Sequence, residues 1–229
     1  MSDDETPSPS AEITVRPGGP YIVRGGVPIS RQRPVVSEHG APVSWQTTEV
    51  FDVQDIVALC RCGASRNKPF CDATHKTESF AGRETAPITT YDERAKRYDR
   101  TNLTVRDDRA ICVHAGFCGN GVTNVWKMVG PADDDPEVRS EMVAMIERCP
   151  SGALTLRLPD TDADLEPDLP PAIAIVDDGP MFVTGGIPVS RSDDRPFETR
   201  NRMTLCRCGR SGNKPLCDGR HKESGFTDS

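Results

Sequence analysis

The sequence has few aromatic and apolar residues. Of its 229 residues, 5% are aromatic and 35% hydrophobic, which allows one large domain or two to three small ones. No stretch approaches the roughly 18 apolar residues of a membrane span. The first ten residues, MSDDETPSPS, lack the basic and then apolar pattern of a signal peptide. We therefore expect a soluble, cytoplasmic protein without a membrane partner.

Basic residues are also in deficit. The chain has 28 Lys and Arg against 35 Asp and Glu, which gives a net charge of −7. A nucleic-acid-binding domain normally has an excess of basic residues on one face. We therefore expect no nucleic-acid partner.

Cysteine is abundant instead. The nine cysteines fall into three sets of three, so a scheme of disulfides would leave one unpaired. A reducing compartment also argues against disulfides, and metal or cluster ligation becomes the leading explanation. The three sets are Cys60, Cys62 and Cys71; Cys112, Cys118 and Cys149; and Cys206, Cys208 and Cys217.

Two of these sets lie in an internal repeat. Residues 60–75 are CRCGASRNKPFCDATH and residues 206–221 are CRCGRSGNKPLCDGRH, which align without a gap. The repeat extends upstream, because GPYIVRGGVPIS at 19–30 matches GPMFVTGGIPVS at 179–190. Each copy is too small to fold robustly on apolar burial alone, so a bound metal would stabilise it.

The repeat divides the chain into five parts. We expect a disordered tail at 1–12, a first module at 13–80, an insert at 81–158, a linker at 159–171 and a second module at 172–229. The linker is assigned on the composition of PDTDADLEPDLPP.

The modules are predicted to be mainly β and the insert a small α+β unit. Short strands at 21–23 and 181–183 end at glycine pairs. In the insert, Asp135-Pro136 is a helix-start signal, and apolar residues at three- and four-residue spacing predict a helix of about 13 residues that ends at Cys149-Pro150. Strands at 103–105 and 154–158 are expected to pair and close the insert.

Each repeat offers three sulfurs and one imidazole in the order Cys-x-Cys-x8-Cys-x3-His. Two cysteines one residue apart can chelate one iron. A Cys and a His four residues apart on a helical turn share a face and can bind a second iron, which suits a [2Fe-2S] cluster. The same donors also make a structural zinc site, although zinc usually prefers two to four residues between paired cysteines.

The pattern C-x-C-x2-S-x3-P-x-C-D-x-x-H resembles the signature of the CDGSH (mitoNEET-like) iron-sulfur family. Both copies match at Ser65 and Ser211, at Pro69 and Pro215, and at Asp72 and Asp218, but neither spells CDGSH in full, because Ala73-Thr74 and Arg220 depart from it. The resemblance implies two [2Fe-2S] clusters. Two chains commonly intertwine in that family, so we expect the two repeats to form a pseudo-two-fold pair within one monomeric chain. The implied ligands are Cys60, Cys62, Cys71, His75, Cys206, Cys208, Cys217 and His221.

The middle set resembles one cluster-binding half of a bacterial ferredoxin. That half has C-x2-C-x2-C and a distant C-P, whereas here Ala115 replaces the middle cysteine of the run. The resemblance implies a ferredoxin-like single-cluster domain with Cys112, Cys118 and Cys149 as ligands. The missing ligand favours [3Fe-4S]. The alternatives are [4Fe-4S] with His114 or an outside ligand, and no cluster.

The motifs together favour a carrier over an enzyme. The sequence has no GxSxG, no phosphate-binding glycine loop and no HExxH, so we assign no catalytic residue. We predict one-electron transfer with redox partner proteins, a reductase or an oxygenase. The alternatives are cluster storage, cluster transfer or redox and pH sensing, and a zinc-stapled interaction module. The acidic run 133–135 is either a solvated helix start or a docking face for basic partners.

Overall fold

The computed structural model describes residues 10–161 and 163–228. The protein is mainly β, with 28% of its residues in strands and 13% in helices, as predicted. Its strands form three sheets, of four, five and three strands. Across the described residues, no helix has the length and apolar character that a membrane crossing requires.

The first sheet combines strands of both repeats. Its strand order is β11-β1-β2-β5. Three of these strands come from the first repeat: β1 (Glu12–Val15), β2 (Tyr21–Arg24) and β5 (Ile56–Leu59). The fourth, β11 (Val189–Ser190), comes from the second repeat.

The second sheet repeats this exchange in the opposite sense. Its strand order is β12-β10-β9-β3-β4. Three strands come from the second repeat and two from the first: β9 (Ala172–Val176), β10 (Met181–Thr184), β12 (Arg202–Leu205), β3 (Ile29–Val36) and β4 (Pro42–Phe51).

The exchanged strands follow a pseudo-two-fold relation. Strand β1 pairs in parallel with β11, with Ile13 opposite Val189, and β9 pairs in parallel with β3, with Ile173 opposite Ile29. All four side chains are buried in one apolar core to which both repeats contribute. Because strands are exchanged and the core is shared, the repeats form the expected intramolecular pair rather than two independent beads.

The insert forms a lobe with a core of its own. Its sheet, in the order β6-β7-β8, packs with two of the helices. The predicted pairing is confirmed, because Val105 lies opposite Leu156 in the antiparallel β7–β8 ladder. The elements of the insert are α1 (Tyr91–Arg94), β6 (Lys96–Asp99), β7 (Thr104–Asp107), α2 (Val125–Met128), α3 (Pro136–Glu147) and β8 (Leu154–Arg157).

Helix α3 begins where the sequence predicts. The Asp135 side chain accepts hydrogen bonds from the N–H groups of Glu137 and Val138, and Pro136 occupies the first turn, where a missing N–H costs nothing. The helix ends at Glu147, two residues before the expected end at Cys149, and the Cys149 N–H still bonds the Ile146 carbonyl.

The predicted tail and the predicted linker both contain ordered residues. Strand β1 begins at Glu12, so the disordered tail cannot extend to residue 12 as predicted; residues 1–9 lie outside the described residues. In the linker, Leu165 forms an isolated bridge with Leu156, and the Glu166 carboxylate bonds Arg202. The linker therefore packs along the lobe and the second repeat.

Candidate metal centres

The first repeat brings its four predicted ligands together as two pairs. Cys60 and Cys62 directly follow β5, and their sulfurs are 3.7 Å apart. The Cys71 sulfur lies 3.4 Å from Nδ1 of His75, because the 3-10 turn at Thr74–Lys76 brings the two residues onto one face.

The second repeat reproduces this geometry after β12. The sulfurs of Cys206 and Cys208 are also 3.7 Å apart, and the Cys217 sulfur lies 3.4 Å from Nδ1 of His221. The two donor sets are thus copies of each other in structure as well as in sequence.

The spacing within each pair fits one shared metal ion. A metal bound tetrahedrally at about 2.3 Å from two sulfurs sets those sulfurs about 3.8 Å apart. Among the described residues, no group of three or more His, Cys, Asp and Glu side chains is placed to hold a single ion. The contacts within each repeat join its donors as two pairs, one of two sulfurs and one of a sulfur and a ring nitrogen.

Other residues of the repeated motif hold the ligand loops in shape. The Ser65 hydroxyl donates to the Phe70 carbonyl, and the Asp72 carboxylate accepts from the N–H groups of Arg66 and Thr74. In the second copy Ser211 donates to the Leu216 carbonyl, and Asp218 accepts from the N–H groups of Gly212 and Arg220. These polar residues shape the loop and leave the sulfurs free to bind metal.

Backbone donors face the ligand sulfurs. The N–H groups of Ala64 and Ala73 point at Cys62 and Cys71 at 3.5 Å, and the second repeat has equivalent contacts from Arg210 and Gly219 at 3.4 Å. Such bonds favour the thiolate form, which is the metal-binding form.

The thiols of each Cys-x-Cys pair titrate together. The hydrogen bond between the two side chains lowers the pKa of Cys60 to about 6 and raises that of Cys62. In the second pair the same bond lowers the pKa of Cys208 to about 6 and raises that of Cys206. Burial raises the pKa of Cys217 to about 12, so this thiol keeps its proton at neutral pH until a metal displaces it.

The insert brings its three cysteines to one cavity. Cys112, Cys118 and Cys149 line a space of about 190 Å³, and Ala115 lines it where a further ligand would stand. Burial raises the pKa of Cys118. Three cysteine sulfurs that line one pocket offer a donor set for an iron-sulfur cluster.

His114 lines the same cavity but lies at the boundary with the second repeat. Its φ is +55°, and a Cβ added to Gly219 would lie 2.8 Å from Cδ2 of its ring. Its carbonyl accepts a hydrogen bond from Nζ of Lys222 at 2.6 Å. The histidine therefore joins the lobe to the second ligand loop.

Two protein-family models match the parts of the chain that contain these cysteines. The family described as "Iron-binding zinc finger CDGSH type" matches residues 18–76 and 178–222, and the one described as "Divergent 4Fe-4S mono-cluster" matches residues 98–159. The chain has two CDGSH-type iron-binding regions flanking a divergent 4Fe-4S mono-cluster region. No curated protein and no solved structure matches the chain.

The two CDGSH regions meet at reciprocal glycines beside their ligands. A Cβ at Gly63 would lie 2.7 Å from the Cys208 carbonyl oxygen, and a Cβ at Gly209 would lie 2.5 Å from that of Cys62. Both glycines have positive φ. Only glycine fits this approach, which places the two ligand loops in direct contact.

The two CDGSH regions differ in exposure. In the first, Cys62, Cys71 and His75 are half-buried, whereas all four donors of the second are buried and His221 is 6% exposed. Burial lowers the pKa of His221 to about 4. The second region is more buried because residues 113 and 114 of the mono-cluster region lie against it at Gly219.

Two buried arginines between the ligand cysteines were not predicted as site residues. Arg61 donates from Nε to the Gly19 carbonyl at 2.9 Å, and Arg207 donates to the Gly179 carbonyl at the same distance. Each also pairs with a carboxylate, Arg61 with Glu84 and Arg207 with Asp228. The identical CRCG in both copies is the sequence signal that points to them.

The acidic run of the mono-cluster region is mostly structural. Asp133 is buried and accepts hydrogen bonds from the N–H groups of Thr101 and Asn102, and Asp135 caps α3. Asp134 is exposed. Two of the three carboxylates are thus engaged within the lobe, and the interpretation of the run as a docking face stays a prediction.

Proposed function

We propose that this chain is a one-electron carrier with two [2Fe-2S] clusters and one [3Fe-4S] cluster. The observation that carries the proposal is the pairing of the donors in each CDGSH region, with two sulfurs at 3.7 Å and a sulfur and a ring nitrogen at 3.4 Å. When bound, such clusters accept and release single electrons. The ligands would be Cys60, Cys62, Cys71 and His75; Cys206, Cys208, Cys217 and His221; and Cys112, Cys118 and Cys149.

The chain's own residues set the electrostatics of the CDGSH sites. Each site combines three thiolates with one neutral imidazole, so it has one negative charge fewer than a site with four cysteines. Backbone N–H groups beside the sulfurs add further positive potential, whereas the charges of Arg61 and Arg207 are balanced by Glu84 and Asp228. We expect reduction potentials above those of all-cysteine plant-type ferredoxins.

A three-iron cluster is our proposal for the middle site. The matched family is a four-iron type, but Ala115 presents a methyl group to the cavity and the ring edge of His114 lies near Gly219. Three sulfur ligands support [3Fe-4S]. Binding of a fourth iron would require His114 or a ligand from outside the chain.

Metal analysis of protein purified without air tests the proposal. We expect about seven irons per chain, a brown protein, an EPR signal from the oxidised three-iron centre, and new signals from the two-iron centres after reduction with dithionite. About eight irons would indicate a four-iron cube in the middle site. Three zinc ions per chain in a colourless protein would exclude electron transfer.

The partners of this carrier belong to the same proposal. The expected partners are redox proteins that donate or accept one electron, such as a reductase and an oxygenase. The half-exposed first site is where such a partner can approach a cluster of this chain. We propose that the chain acts as a monomer, because the strand exchange that commonly joins two chains in CDGSH proteins occurs here within one chain.

Cluster transfer is a second candidate function. It is favoured by the half-exposed His75, because a neutral histidine ligand at the surface is easier to displace than a buried thiolate. Transfer to an apo-ferredoxin should then be faster than release to a chelator, and His75→Cys should abolish transfer. His221→Cys is the matched control at a buried site. Equal release to both acceptors would exclude the transfer role.

A further inference from the structure

Helix α3 ends close to Cys149, and the basic residue at its C-cap, Arg148, is exposed. Its last turn, within Pro136–Glu147, contains no Lys, Arg or His. The last carbonyls of a helix have no partner within it, and they carry the negative end of the helix dipole. The Cys149 N–H bonds one of them, that of Ile146, and further donors come from outside the helix.

Arg202 of the second CDGSH region supplies the donors. From β12, its Nη1 donates to the carbonyls of Ile146 at 2.6 Å, Glu147 at 2.9 Å and Cys149 at 2.7 Å. Its Nη2 donates to the Leu154 carbonyl at 3.2 Å, beyond the Cys149 loop. One guanidinium thus binds the loop on both sides of the predicted ligand.

Glu166 of the linker holds the Arg202 side chain in place. Its carboxylate accepts from Nε at 2.7 Å and from Nη2 at 3.2 Å. Arg202 is 1% exposed. A buried guanidinium is tolerated only when its charge and its donors are satisfied, and here the loop carbonyls and one carboxylate do so.

The internal repeat shows that this arginine is specific to one copy. Arg202 lies opposite Thr184 in the β10–β12 ladder, and the equivalent position in the β2–β5 ladder of the first repeat is Ile56, opposite Arg24. Ile56 is 59% exposed. The arginine therefore occurs in the copy that contacts the mono-cluster region, and the shared CDGSH fold does not require it.

We propose that Arg202 is a positioning residue for the middle cluster, which fixes the Cys149 loop from the second CDGSH region. This inference rests on the proposed function, because it concerns the ligands of that cluster. Without Arg202, four carbonyls lose a donor and Glu166 loses its counter-charge, so the loop would shift. The mono-cluster region then holds its cluster only while the second CDGSH region is packed against it.

The variant Arg202→Gln in the full chain tests this role. We expect the EPR signal of the oxidised middle centre to fall at least fivefold and iron to fall from about seven to about four per chain, while the signals of the reduced two-iron centres remain. Arg202→Lys should retain part of the middle signal with a shifted midpoint potential, because one ammonium keeps the charge but cannot reach all four carbonyls.

Arg191→Gln is the matched control. Arg191 is equally buried and lies in the second CDGSH region, but it bonds Asp193 and the Ala86 carbonyl, which lie outside residues 98–159. The middle signal should survive this change. If Arg202→Gln keeps the full EPR signal of the middle centre with an unshifted midpoint potential, the inference is overturned. It is also overturned if both variants lose the EPR signals of all three centres equally.

Thiol alkylation of metal-free protein provides a test that does not depend on the clusters. Iodoacetamide should modify Cys149 at least fivefold faster in Arg202→Gln than in the unsubstituted chain, with no change at Cys118. If the middle site never holds iron, the proposed function is refuted, but the faster alkylation of Cys149 in Arg202→Gln would still be expected. Unchanged alkylation of Cys149 would refute the positioning role itself.

Discussion

Ala73 occupies a backbone conformation that suits glycine. Its φ is +69°, and the equivalent residue in the second ligand loop is Gly219, at +87°. A left-handed conformation costs a residue with a Cβ about 1–2 kcal/mol. The first loop bears this strain next to Cys71, and the departure from CDGSH at residue 73 is therefore energetically unfavourable.

Ala73→Gly should raise the free energy of unfolding by about 0.5–1 kcal/mol, because relief of the strain exceeds the added chain entropy of glycine. Denaturant unfolding of metal-free protein measures the change. Ala64→Gly is the control in the same loop, at a residue without positive φ, and it should destabilise the protein. Destabilisation by both substitutions would contradict the explanation.

Gly209 tests the contact between the two CDGSH regions. Gly209→Ala adds a Cβ 2.5 Å from the Cys62 carbonyl oxygen at a positive φ, and should cost about 2–4 kcal/mol of stability from strain and overpacking together. At Gly40, also at positive φ, an added Cβ would meet no heavy atom of the described residues within 4 Å. Gly40→Ala should therefore cost only the strain, about 1 kcal/mol. If denaturant unfolding shows that Gly209→Ala and Gly40→Ala lower the free energy of unfolding equally, the close approach of Gly209 to the Cys62 carbonyl is refuted.

At the scale of elements, the hairpin of β3 and β4 joins three parts of the molecule. Trp45 on β4 packs against Phe182 of the second CDGSH region, with ring centroids 6.0 Å apart, and against Phe117 beside Cys118, at 4.9 Å. Pro42 lies near Gly116 of the same cysteine loop. The hairpin thus connects the first repeat to the middle site.

Trp45→Ala should lower the free energy of unfolding by about 2–3 kcal/mol, because both aromatic contacts are lost. Trp45→Phe keeps an aromatic ring and should cost less than about 1.5 kcal/mol. Gln46→Ala, at the next and exposed position, is the control and should have little effect. A Trp45→Ala protein as stable as the control would show that the hairpin does not stabilise the assembly.

At the scale of the whole molecule, the two CDGSH sites share a donor set but differ in burial. The strand exchange alone would make them equivalent, and the mono-cluster region breaks the symmetry by packing against the second one. Solvent and reagents therefore reach the first site more easily.

A chelator added under anaerobic conditions should remove the two proposed [2Fe-2S] clusters in two phases, with loss from the first site at least fivefold faster because this site is more exposed. Visible absorption follows the loss, and His75→Cys should slow only the fast phase. A single phase for both clusters would show that exposure does not control their release.

Some features could be predicted from the sequence because they depend on neighbouring residues. The spacing of Cys71 and His75 places them on one turn, Asp135-Pro136 starts α3, and short apolar runs form β2 and β10. The internal repeat and its short apolar alternations ending at glycine pairs also predicted two similar, mainly β modules. Local hydrogen bonding and residue periodicity decide such features, so the linear order of residues is sufficient.

Other features depend on contacts between residues far apart in the chain, and only the tertiary structure decided them. The exchange of β3 and β11, the contact of His114 with the second ligand loop, and the bonds of Arg202 to the end of α3 join residues separated by about 50 to 180 positions. No local pattern identifies such partners, because they are selected by packing in a shared core. For the same reason, the unequal burial of two nearly identical motifs follows from the position of the insert rather than from the motifs themselves.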